Sequence, residues 1–70
     1  MKYPNIEAER ARFGMSKDDF AKALGIATKT YYNWLNGVNP IPSDVLIKIS
    51  EMCKADTDYL LGLSDVRRRG

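Results

Sequence analysis

The sequence has no histidine and a single cysteine, Cys53, in 70 residues. Without histidine the commonest general base and metal ligand is missing, and a lone thiol has no evident base partner. No catalytic constellation is expected, because the aspartates fall as helix caps and surface charges rather than as a pair. A dedicated zinc site and a cofactor are not expected either. One cysteine cannot staple the fold, so the core must hold itself together, which fits a cytoplasmic protein in a reducing compartment. Cys53 reads as a small buried hydrophobe rather than a reactive thiol. Long apolar runs are also missing. The longest, as in YLLGL, are a few residues, far short of the roughly 18 that span a membrane. The opening MKYPNIEAER has no apolar region of the kind a secretory signal needs, and no repeat, low-complexity tract or linker is present.

What is present is a folding composition: 44% hydrophobic and 29% charged residues, too apolar for disorder. A chain this short makes one domain and buries only roughly 60% of its unfolded surface. The net charge of +2 says little, but its distribution says more. Residues 1–36 carry six basic groups against four acidic ones, residues 37–66 carry Lys48 and Lys54 against five acids, and Arg67-Arg68-Arg69 follow. A positive front half, a negative back half and a positive tail result.

Helix punctuation is dense and no strand pattern stands out. A first helix is predicted over residues 5–13, with Pro4 near its start and Gly14 as its C-terminal cap. Ser16 caps a second helix, with Asp19 placed to answer it, that carries Phe20, Ala21 and Leu24 and ends at Gly25. Ile26 and Ala27 lead into a third, from Thr28 to Asn36, closed by Gly37. Two prolines make Val38–Pro42 a loop. Ser43 is expected to cap a fourth helix whose apolar stripe is Val45, Leu46, Ile49, Met52 and Cys53. Asp56 or Thr57 opens a short fifth helix, Asp58–Leu61. Phe20, Leu24, Tyr31, Trp34, Leu35 and Ile49 form the expected core.

Residues 17–36 have the layout of a helix-turn-helix, two helices crossing steeply through a short turn that contains glycine. On a helical wheel of the third helix, Tyr31, Trp34 and Leu35 share one side. Lys29, Asn33 and Asn36 lie nearly opposite, with Tyr32 on the flank and Thr28 in the first turn. This outer face has an amine, amides, a phenol and a hydroxyl, and no acid. Asn pairs with adenine, Lys donates to guanine O6 and N7, and a Thr methyl touches the thymine methyl. On an isolated helix such a face would be plain solvated surface; the helix-turn-helix frame is what gives it meaning.

These residues resemble the helix-turn-helix domain of lambdoid phage repressors, Cro proteins and the xenobiotic-response-element-type bacterial regulators. The pieces that match are Arg10, Gly14-Met15-Ser16, Phe20-Ala21, Leu24-Gly25-Ile26, Tyr31, Trp34, Asn36-Gly37 and Asp58-Tyr59-Leu60-Leu61-Gly62. The resemblance implies an all-α, five-helix, lambda-repressor-like DNA-binding domain over residues 5–62, followed by a basic tail, 63–70. It implies a transcriptional regulator, a repressor, bound as a homodimer to a palindromic operator in double-stranded DNA, with the third helix in the major groove. Neither a membrane nor a small molecule enters this reading. By position, Thr28, Lys29 and Asn33 read bases, with Tyr32 a further candidate. Lys17, Thr30, Asn36 and Asn39 contact the DNA backbone, with Val38 in the same loop. For Lys17 the plainer alternative is a solvated first-turn residue, and for Asn36 a residue that merely ends its helix. Tyr59, Leu60, Leu61 and Leu63 are expected at the dimer interface, or else only close the core.

Two positions depart from the family pattern. Ala27 stands where a Ser or Thr often caps the recognition helix, which leaves Thr28 either to cap it or to read a base. Leu35 stands where the family commonly has a glutamate paired with the arginine matching Arg10. Arg10 must then find Glu7, another acceptor, water or DNA. Arg67–Arg69 either reach DNA phosphate or form a disordered solubilising tail. A different class, a protein-interaction module of antitoxin or antirepressor type on the same fold, would suit the acidic back half. An RNA binder is disfavoured, because aromatic and basic residues are not interleaved beyond Tyr31-Tyr32.

Overall fold

The computed structural model describes residues 1–68, and among these it contains five helices and no strand. They are α1 (Pro4–Arg12), α2 (Lys17–Leu24), α3 (Thr28–Leu35), α4 (Ser43–Cys53) and α5 (Thr57–Leu60). No helix among them is long and apolar enough to cross a membrane. α2 packs on α3 and α4, and α5 on α4 and α1.

The boundaries follow local chemistry. Pro4 opens α1, where its missing N–H has no partner to lose. The Ser16 hydroxyl accepts from the Asp19 amide at 3.0 Å and caps α2. Gly25 ends α2 with φ +73°, a left-handed conformation that costs glycine nothing. Ile26 N–H then donates to Ala21 carbonyl at 3.0 Å, which fixes the turn into α3. α4 departs from expectation at its start. Ser43 is not its cap: Pro42 holds the extended cap position, and Ser43 is already the first helical residue. At its far end Lys54 takes φ +55°, an uncommon conformation for a residue with a side chain. Asp56 precedes α5 in an extended conformation but makes no side-chain cap bond.

The expected six core residues lie in one buried cluster. Tyr31 is its centre, edge-on to Phe20 at 5.5 Å and to Trp34 at 6.3 Å between ring centroids, the arrangement that ring quadrupoles favour. Tyr3, Ile6, Ala21, Cys53, Ala55 and Leu60 complete the cluster.

Candidate nucleic-acid interface

The outward face of α3 is set by what its other face must bury. Tyr31, Trp34 and Leu35 point into the core. Thr28, Lys29, Thr30, Tyr32 and Asn33 therefore fall outside the core, as does Asn36 after the helix, with Lys29, Tyr32 and Asn36 exposed and Thr28, Thr30 and Asn33 half-buried. The first turn has no acidic residue. Thr28 is not the cap: Ala27 takes that position, without a side-chain bond. The Thr28 hydroxyl is thus not spent on the backbone, and the conflict between capping and reading a base disappears. Asn36 ends α3, its amide donating to the Tyr32 carbonyl at 2.9 Å. The Asn33 carbonyl takes the Val38 amide at 2.8 Å and the Asn39 amide at 3.5 Å, which folds the following loop against the end of the helix. Asn39 is exposed there.

Lys17 is not a plain solvated residue. Its Nζ lies 3.5 Å from Glu7 Oε1 and 5.8 Å from the centre of the Tyr32 ring. Glu7 is the hub of this region. Arg10 grips it with two bonds, Nε to Oε2 at 2.9 Å and Nη2 to Oε1 at 3.1 Å. The Tyr31 hydroxyl adds a bond to Oε2 at 2.5 Å. Arg10 also donates to the Met15 carbonyl at 2.5 Å. The partners of Arg10 are therefore Glu7, on its own helix, and the Met15 carbonyl. Burial pushes the Glu7 carboxyl up, but the Arg10 and Tyr31 bonds and the Arg10 and Lys17 charges outweigh it and hold it below its ordinary value. Burial, reinforced by Glu7, raises the Tyr31 phenol, so its proton stays in place to donate.

A second hub lies at the other end of α1. Glu9 is 2% exposed, and its carboxylate accepts from Arg12 at 3.0 Å and from Arg67 Nε at 2.9 Å. Arg67 also donates to the Cys53 carbonyl at 2.6 Å, and its own carbonyl accepts the Asp56 amide at 3.3 Å. Arg67 is docked on the body, not loose in a tail. A buried carboxylate that needs a second cation is the physical reason. Arg68 is exposed, and Arg69 lies outside the described residues. Burial, with the nearby Glu9 charge, pushes the Cys53 thiol up to about 11, so it stays protonated at neutral pH.

The four residues expected at a dimer interface separate. Leu60 is 0% exposed and closes the core, so it cannot touch a partner. Tyr59 is half-buried against the core, and its carbonyl accepts from Asn5 at 2.7 Å. Leu61 and Leu63 are exposed, at 38% and 76%, and Val66 follows at 54%. Missed from the sequence were Tyr3 in the core and the Glu9–Arg12 pair. Only the Glu9–Arg12 pair had a local signal, the three-residue spacing that lets a helix bridge opposite charges.

No group of three or more metal-binding side chains forms among the described residues. A family model described as helix-turn-helix matches residues 6–60. No curated protein and no solved structure matches the chain.

Proposed function

The chain belongs to the Cro/C1-type helix-turn-helix family of DNA-binding regulators, and from that premise we propose that it is a repressor whose α3 reads a two-fold operator in the major groove. The observation that carries the proposal is the sorting of α3: three large side chains face the core, and five hydrogen-bonding ones, without an acid, face outward.

In this reading Thr28, Lys29, Tyr32 and Asn33 meet base edges. The amide of Asn33 suits the N6 and N7 of adenine, and the Lys29 ammonium suits guanine. Lys17, Thr30, Asn36 and Asn39 meet phosphate and set the register. Lys17 enters this role from a partial ion pair with Glu7. Glu7 keeps two Arg10 bonds when Lys17 turns to phosphate. The protein acts in the cytoplasm, where its DNA is.

Leu61, Leu63 and Val66 leave an apolar C-terminal surface, and a two-fold pair built on it, with Tyr59 at the edge, presents two recognition helices to adjacent major grooves. Half-sites then lie about 34 Å apart. The domain proper ends near Gly62, but the segment after it is held to α1 by Arg67.

Selection of bound sites from random duplexes, followed by sedimentation of the complex, tests the proposal. A palindromic site occupied by two chains is expected. Loss of any sequence preference would remove the base-reading role. A monomer on a palindromic duplex would remove the dimer. Absence of salt-dependent retention on DNA would favour the protein-interaction module.

A further inference from the structure

We propose that Lys2 supplies a DNA-phosphate contact at the end of α3, from a segment that lies outside the residues matched by the family. The inference rests on the reading of α3 as the recognition helix and adds an element to its interface.

The segment before α1 is built onto α3. The Lys2 amide donates to the Leu35 carbonyl at 2.8 Å, one of the terminal carbonyls that a helix leaves without an internal partner. Tyr3 follows, 6% exposed in the core, and Pro4 then begins α1. The Lys2 backbone is therefore held from both sides. Its side chain leaves along Gly37: the Lys2 Cδ lies 3.7 Å from where a Gly37 Cβ would stand. Gly37 lies between Asn36 and the Val38-Asn39 loop, so the stem of Lys2 runs beside the loop that this reading assigns to the DNA backbone.

Charge distribution favours this role. Arg10, Arg12, Lys17 and Arg67 are all paired with Glu7 or Glu9. Lys2 is exposed and has no ion pair among the described residues. Lys29 puts a cation in the first turn of α3, and Lys2 puts another beside its last turn. An eight-residue helix is about 12 Å long. A duplex carries one phosphate charge per roughly 1.7 Å of its axis, so a helix lying in the groove has phosphate within reach of both ends. The competing role for Lys2 is to complement the dipole at the end of α3. That role affects stability and leaves the salt dependence of binding alone.

The test uses the full chain and a random-sequence duplex of about 20 base pairs, long enough for two half-sites. Wild type, Lys2→Gln and Lys54→Gln are titrated at several salt concentrations and melted without DNA. Lys54 is the charge control. It follows Cys53, whose carbonyl accepts from Arg12 at the opposite end of α1. Lys2→Gln keeps the backbone bond to Leu35. It is expected to weaken binding about five-fold near 0.15 M salt and to lower the log–log salt slope by about 0.9, the value of one phosphate contact, with unchanged melting. Lys54→Gln should leave the slope unchanged. An unchanged slope in Lys2→Gln, whether or not melting falls, overturns the proposal, as does an equal loss in Lys54→Gln. A wild type that binds no duplex overturns the DNA-binding reading itself, a result distinct from binding that is indifferent to Lys2.

Discussion

The Tyr31 hydroxyl of α3 donates to Glu7 Oε2 of α1 at 2.5 Å. This bond ties the candidate recognition helix to the first helix, and it accounts for a polar pair inside an apolar core. Glu7 is stable there because its carboxylate is met by one hydroxyl donor and two cations: Tyr31, Arg10 and Lys17. A buried charge with a partner removed is expensive, because it is left uncompensated.

Tyr31→Phe keeps the ring and its edge-on neighbours but removes one donor from Glu7. A hydrogen bond to a charged group is worth about 1.5–3 kcal/mol, so urea denaturation should show a loss of that size. Glu7→Gln should cost less in the Tyr31→Phe background than alone, because the two groups share one network. Additive losses would show that the bond carries no coupling.

Acid should unfold the protein through Glu7 and Glu9. For Glu9, burial pushes the carboxyl up, but the bonds and charges of Arg67 and Arg12 outweigh it, so its value is lowered, as for Glu7. A lowered carboxyl stabilises the fold above its unfolded value, near 4.5. That contribution is lost as pH falls through the folded value. Melting temperature should be flat with respect to these groups above about pH 5 and drop below it. The drop should be shallower in Glu9→Gln, and equal slopes in the two proteins would exclude Glu9 as a source.

Trp34→Ala should cost about 3–5 kcal/mol, the range for a large aromatic removed from a core. Trp34 packs edge-on against Tyr31 and is nearly inaccessible. A domain of this size has a total stability at the low end of roughly 5–15 kcal/mol, so circular dichroism should show a strongly lowered melting temperature and partial unfolding at room temperature. Melting like wild type would refute the packing role.

Lys54→Gly should stabilise the protein by about 0.5–1 kcal/mol, since glycine takes the left-handed φ of +55° without the Cβ clash. Part of the gain is offset by the greater entropy of an unfolded glycine. Thermal melts of both proteins decide it, and a lower midpoint for the glycine variant would show that the Lys54 side chain contributes more than its strain costs.

Lys29→Ala and Asn33→Ala should each cost about 1–3 kcal/mol on the selected operator and less on a scrambled duplex. Lys17→Ala should weaken both duplexes alike and lower the salt slope by about one. Titration of all three against both duplexes at several salt concentrations separates the roles. Equal losses on the two duplexes for Lys29 and Asn33 would remove them as base readers.

The sequence by itself determined the number and order of the helices and the two faces of α3, because those depend on neighbours a few residues apart. Ser16 caps its own helix, Gly25 turns the chain where it stands, and the spacing of Tyr31, Trp34 and Leu35 selects one side of one helix. The tertiary structure decided which charges are available. Glu7 meets Tyr31 across 24 residues and Glu9 meets Arg67 across 58, and no local period encodes either meeting. It also decided that Leu60 is buried while Leu61 is not, since a helix of four residues is too short for a wheel to orient. It placed Lys2 beside Gly37 through a bond from the chain's second residue to the carbonyl of its thirty-fifth. Burial and ion pairing depend on which distant segments share a volume, and only the packed chain brings those segments together.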